Sequence, residues 1–144
     1  MLNLMTETCL EAATFRILVV DDFEPWRHAI RSTLQDHPDL RIVGEATNGI
    51  EALQQAEELK PDLILLDISL PVLNGIEVGR RMHELVPDAK IIFVTSNVDK
   101  DVADAALTNG AYGYILKADG KSELLRAINA VIQGEKVVSK RLKR

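Results

Sequence analysis

Short apolar runs rich in β-branched residues recur along this chain at positions 17–20, 40–43, 63–66, 91–94 and 112–116. The third and fourth are apolar without alternation, as in a strand covered on both faces. Between them lie segments with helical spacing. Trp26, Ile30, Thr33 and Leu34 share one face of the first; Ala52, Leu53, Ala56 and Leu59 do so in the second. Leu124, Leu125, Ile128, Val131 and Ile132 form the same pattern in the last, and the stretches 75–85 and 99–107 fit more weakly. Pro61 and Pro87 stop helical stretches, and Gly110 and Gly134 stand where helices should end. Five strand-then-helix units predict an α/β fold, a doubly wound parallel sheet with helices on both faces.

Composition narrows the class. The chain of 144 residues has room for one domain with a short tail and for a sizeable core. A hydrophobic fraction of 47% with 27% charged residues excludes a wholly disordered chain. No apolar run approaches the ~20 residues that span a bilayer, and no basic segment precedes the first apolar residues as in a secretory signal. A soluble cytoplasmic domain, without membrane contact, is the expectation. The lone Cys9 permits neither an internal disulfide framework nor a cysteine metal cluster. A net charge of −5 argues against nucleic acid as a direct partner, since such binding rests on phosphate neutralisation.

The chemistry gathers at the strand ends, where open α/β sheets bind ligands. The first run leads into Asp21-Asp22, the third into Asp67, the fourth into Thr95-Ser96 and the fifth into Lys117. With the second strand at the outer edge, order 2-1-3-4-5, these four mouths are neighbours. Three carboxylates so close raise one another's pKa unless a cation joins them. An oxygen-only set with no His or Cys suits Mg²⁺ rather than zinc. A carboxylate also serves as a nucleophile towards phosphorus. The transferred group then presents three charged oxygens. Mg²⁺, the Lys117 ammonium and the Thr95 hydroxyl supply one partner each.

Asp21-Asp22 after Ile-Leu-Val-Val, Asp67-Ile-Ser-Leu-Pro-Val-Leu-Asn-Gly75, Phe93-Val-Thr-Ser96 and Gly113-Tyr-Ile-Leu-Lys117 together resemble the receiver domains of two-component response regulators. The likeness covers residues 15–134 and implies a five-stranded flavodoxin-like fold of order 2-1-3-4-5. It implies that Asp67 accepts a phosphoryl group from a histidine of a sensor kinase or phosphotransfer protein. Asp22 and the main-chain oxygen of Ser69 would then join Asp67 around Mg²⁺, with Asp21 supporting through water. Pro71 and Gly75 would shape the loop after the acceptor. Thr95 and Tyr114 would couple phosphorylation to the face made by the fourth helix, fifth strand and fifth helix. Such a domain catalyses only its own phosphorylation and dephosphorylation. Ser69 and Asn97 bring no group that activates water, so self-dephosphorylation should be slow. Many receivers place proline after the lysine; here Ala118 follows.

The stretch from Gly110 to Gly134 resembles the NarL/FixJ branch, which usually continues through a linker into a DNA-binding domain. Residues 1–14 read as an extension. Residues 135–144, with Lys136, Lys140, Arg141, Lys143 and Arg144, read as a basic tail or the start of that linker, so transcriptional output would lie outside this chain. Receivers of this branch differ in whether they pair, which leaves a homodimer open.

Bland rivals exist for each residue. Capping of the first helix would account for one of Asp21 and Asp22 but not for Asp67 and Lys117. A turn role would account for Asp67 taken alone, and Tyr114 would serve as an edge-strand ring with its hydroxyl in water. Trp26 is expected partly buried, and His28, His37 and His83 solvated. Two further functions compete: a receiver-like module that binds partners without phosphorylation, and an aspartyl-nucleophile phosphatase of the haloacid-dehalogenase kind. The latter needs a second Asp where Ser69 stands.

Overall fold

The computed structural model describes residues 14–71, 73–96 and 99–139. Cys9, Asn97 and residues 140–144 lie outside them, as does most of the N-terminal extension. Strands and helices alternate: β1 (Phe15–Val20), α1 (Glu24–Leu34), β2 (Leu40–Ala46), α2 (Gly49–Leu59), β3 (Leu63–Leu66), α3 (Gly75–Leu85), β4 (Lys90–Thr95), α4 (Lys100–Thr108), β5 (Gly113–Leu116), α5 (Gly120–Ile132) and β6 (Val137–Val138). A 3₁₀ turn over Lys117–Asp119 joins β5 to α5. All strand pairings are parallel, in the order β2-β1-β3-β4-β5-β6.

Alternation along the strands divides the core in two. Leu18, Val20, Ile64, Leu66, Ile91, Phe93, Tyr114 and Leu116 face one way and pack against α2, α3 and α4 through Ala52, Ala56, Val78, Met82, Ala103 and Ala106. Ile17, Val19, Leu63, Leu65, Ile92, Val94 and Ile115 face the other way, onto Ile30 and Leu34 of α1 and Leu124, Ile128 and Val131 of α5. Both faces of the central strands are therefore apolar, which explains why 63–66 shows no alternation. Each fully buried leucine or isoleucine contributes about 2 kcal/mol, so the sheet is held from both sides.

The five-strand expectation is corrected by β6. Val137 and Val138 pair with Gly113 and Tyr114, and the Val137 and Ser139 amides donate to the Tyr112 and Tyr114 carbonyls at 2.9 Å each. Ser139 is fully buried, and its hydroxyl donates to Asp119 Oδ2 at 2.6 Å. Two valines between lysines carry too little periodicity to announce a strand; the open edge of β5 selects them. Gly110 and Gly134 follow α4 and α5 with φ of 98° and 87°, a region open to glycine at no steric cost.

Candidate functional site

The parallel sheet points all its carboxyl-terminal ends at one edge, and the ladder sets the depth of each residue there. The Asp21 amide donates to the Ala46 carbonyl and the Asp67 amide to the Val20 carbonyl, both at 3.0 Å. Asp21 and Asp67 thus sit side by side, 2% and 5% exposed, while Asp22 stands outside and exposed. Asp21, Asp22 and Asp67 each offer a carboxylate oxygen, and these atoms lie within 4.8 Å of one another. The expected acidic cluster is present. It is the only such group of metal-ligating side chains among the described residues.

Lys117 enters from the end of β5. Its Nζ lies 2.7 Å from Asp21 Oδ2 and 3.7 Å from Asp67 Oδ2, so its nearer partner is Asp21. Asp21 Oδ1 also accepts the Phe23 amide at 2.9 Å, and the Arg27 guanidinium donates to the Asp21 carbonyl at 2.7 Å. Asp67 Oδ1 accepts the Ser69 amide at 3.1 Å, a turn that folds the following loop back under the carboxylate. The turn reading of Asp67 and its place in the cluster therefore hold together. The capping reading of Asp21 and Asp22 does not. The residue preceding α1 is Phe23, which brings no capping side chain, and Pro25 occupies the first turn instead.

Burial pushes the Asp67 carboxyl above the usual carboxylate range. The Ser69 amide opposes that rise, the charge of Asp21 adds to it, Lys117 opposes it, and Asp22 adds to it. Three carboxylates with one ammonium beside them leave the cluster net negative, which suits a hard cation held by oxygen ligands.

Close packing fixes the loop beyond Asp67. The Gly75 amide donates to the Ile68 carbonyl at 2.8 Å. A Cβ on Gly75 would lie 2.2 Å from the Asp67 carbonyl oxygen and 2.5 Å from the Ile68 Cα, so only glycine lets α3 begin there. Asn74 caps that helix by accepting the Glu77 amide at 3.0 Å.

Thr95, at the end of β4, and Tyr114, in β5, are both fully buried. Because β6 covers β5, Tyr114 is not on an edge strand, and its ring packs 6.4 Å from that of Phe93. Its phenol is pushed up to about 12, first by burial and then by the charges of Asp99 and Asp67. Ser96 is exposed beside Thr95. Trp26 is half-buried, His28 and His83 are exposed and His37 is partly so; none of the three histidines belongs to the acidic cluster.

Two contributors escaped sequence reasoning. Arg27 and Arg31 from α1 both reach Glu45 at the end of β2, tying that strand mouth to the helix carrying the site's first turn. The rings of Phe23 and Trp26 flank Lys117, with Nζ 5.9 and 5.7 Å from their centroids. A large ring directly after an acid pair, where no core can take it, was the available signal.

Comparison with known proteins agrees with this arrangement. The family model of the response regulator receiver domain matches residues 17–129. The response regulator GacA of Pseudomonas viridiflava is 38% identical over 124 residues, covering 86% of this chain and 58% of that protein. The nitrate/nitrite response regulator protein NarL of Escherichia coli K12 is 39% identical over 127 residues, covering 88% of this chain and again 58% of the relative. A two-component response regulator of the LuxR family from Aurantimonas superposes with a TM-score of 0.85 at 32% identity, covering 90% of this chain and 92% of that one. This chain belongs to the response regulator receiver domain family, in its NarL/FixJ branch.

Proposed function

We propose that this domain is a phosphorylation-controlled switch in which Asp67 takes a phosphoryl group from a phosphohistidine of a sensor kinase or phosphotransfer protein. The observation that carries the reading is a buried carboxylate at a strand mouth, with an ammonium and two further carboxylates beside it. An Asp67 carboxylate oxygen attacks phosphorus, the P–N bond to the donor imidazole breaks, and the departing nitrogen takes a proton from solvent.

Asp22, Asp67 and the main-chain oxygen of Ser69, with Asp21 acting through water, are the residues that would hold Mg²⁺. Their oxygen-only character and the upward shift at Asp67 support that choice. When bound, the ion supplies neutralisation of charge on the transferred oxygens. Lys117 neutralises a second oxygen, for which its Nζ must give up part of its contact with Asp21. The Thr95 hydroxyl donates to a third. Each group is carried by a separate strand end, so the positions are set before the donor arrives.

The buried pair Thr95 and Tyr114 links the phosphoryl to the face of α4, β5 and α5. Support comes from geometry: both side chains are fully buried, Thr95 closes β4 at the site edge, and Tyr114 lies on the neighbouring strand paired to it. A shift from mostly inactive to mostly active packing needs about 3–5 kcal/mol of preference, within reach of one charge held by several fixed partners. The altered face then pairs with a second copy or with another part of a longer, DNA-binding protein in the cytoplasm. Among the described residues, no helix is long and apolar enough to cross a membrane.

Incubation with acetyl phosphate and Mg²⁺ tests the reading. A single phosphoryl added to the intact chain, long-lived and abolished by Asp67→Asn or by a chelator, is the expected result. Repeated turnover of phosphate esters would favour a phosphatase, and no addition would favour an unphosphorylated partner-binding module. The phosphatase reading is the weaker, because Ser69 stands where its acid–base Asp is needed.

A further inference from the structure

Lysine is a poor candidate for a fixed catalytic cation unless something holds it, because ordering its four-carbon stem costs about 2 kcal/mol. Here Ala118 follows, so no proline ring stiffens the turn over Lys117–Asp119. Asp21, the nearer acid at 2.7 Å, by itself draws the ammonium away from Asp67. On its open side Lys117 borders a cleft of about 590 Å³, shared with Phe23, Pro25, Trp26, Ser96 and Ala118, into which an unrestrained stem would swing.

Yet Lys117 is only 17% exposed, with Nζ inside the ~6 Å range of both Phe23 and Trp26. Phe23 is 58% exposed, serves no core cluster, and is the only exposed large ring among the described residues. The main chain of Phe23 is itself held beside the ammonium, since its amide donates to the carboxylate that binds Lys117. Trp26 follows within the first turn of α1, where Pro25 constrains the backbone.

We propose that Phe23 and Trp26 are positioning residues for phosphoryl transfer, an aromatic pair that holds the Lys117 ammonium between Asp21 and Asp67 by cation–π attraction. The proposal rests on Asp67 being the phosphoacceptor. Asp21 fixes one side of the ammonium and the ring faces restrain the other. The remaining direction, towards Asp67, is the one in which the ammonium shifts when a phosphoryl oxygen appears. Because Trp26 is the chain's single tryptophan, its emission also reports that shift.

The test uses the intact chain with Phe23→Leu, Trp26→Leu and the pair together, which retain apolar bulk but remove the ring faces, and with Trp26→Phe as the conservative rescue. With neither metal nor donor added, the Lys117 ε-methylene protons are expected upfield of ordinary lysine, displaced by ring current. They return to the ordinary position in the double leucine variant and stay displaced in Trp26→Phe. With phosphoramidate and Mg²⁺, each leucine variant is phosphorylated about three- to tenfold more slowly, Trp26→Phe recovers most of the rate, and the Mg²⁺ dependence is unchanged. Ordinary ε-methylene shifts in the unaltered chain overturn the positioning role while leaving Asp67 as acceptor. Leucine variants phosphorylated at the original rate overturn it as well. Displaced shifts in a chain that takes no phosphoryl overturn the acceptor reading and the positioning role with it.

Discussion

Asp67 is held where its own charge is unwelcome. Burial and two neighbouring carboxylates favour its protonated form, and one Ser69 amide with a lysine at 3.7 Å offsets only part of that. A carboxyl whose native pKa lies above its unfolded value binds a proton more tightly when folded. Stability therefore falls as pH rises from the ordinary carboxylate pKa through the raised one, and the full cost is present above it. Asp67→Asn removes that cost, so in the absence of divalent cations it should stabilise the fold by on the order of 1 kcal/mol in urea unfolding. The gain should vanish at acid pH. Tyr114 works at the other end of the scale. With its phenol pushed from 10.0 to about 12, the unfolded chain loses the proton first, and stability drops between those two pH values. The drop is about 2–3 kcal/mol, and it should be missing from the alkaline unfolding profile of Tyr114→Phe.

At the level of elements, the loop from β3 to α3 and the added strand β6 are the two places where backbone packing decides the outcome. Gly75→Ala places a Cβ against the main chain of Asp67 and Ile68, atoms that cannot yield as a flexible side chain would. A loss of about 2–3 kcal/mol in chemical unfolding is expected, together with slower phosphorylation, because the acceptor loop must move. Ser139→Ala removes the buried hydroxyl that donates to Asp119 and should cost about 1–2 kcal/mol. A chain ending before β6 should lose more, since it also gives up the two backbone hydrogen bonds to Tyr112 and Tyr114. Strands β1, β3, β4 and β5 were legible because each is an apolar run closed by a polar residue at the site edge, and β2 through its β-branched stretch. The sixth was not, since a two-residue strand borrows its stability from the edge it covers. The end of α2 was legible only through Pro61. The turn itself is made by Lys60 at a φ of 46°, a conformation that lysine composition does not announce.

Across the whole molecule, the placement of the site followed from topology. A parallel sheet of this order must bring the ends of β1, β3, β4 and β5 together, so Asp21, Asp22, Asp67, Thr95 and Lys117 could be read as one constellation before any coordinate. What could not be read is which acid the lysine prefers and what holds it, because those depend on the first turn of α1 reaching across to the end of β5. Arg27 and Glu45 belong to the same class of long-range contact. The central claim is that Asp67, and no other side chain, becomes covalently linked to phosphorus. Borohydride reduction of the chain after exposure to acetyl phosphate and Mg²⁺, followed by peptide mass mapping, reads that bond directly, since an aspartyl phosphate is reduced to homoserine. Homoserine at position 67 and nowhere else is the predicted result; reduction at Asp21 or Asp22, or a phosphoryl resistant to borohydride on a hydroxyl or imidazole, would contradict it.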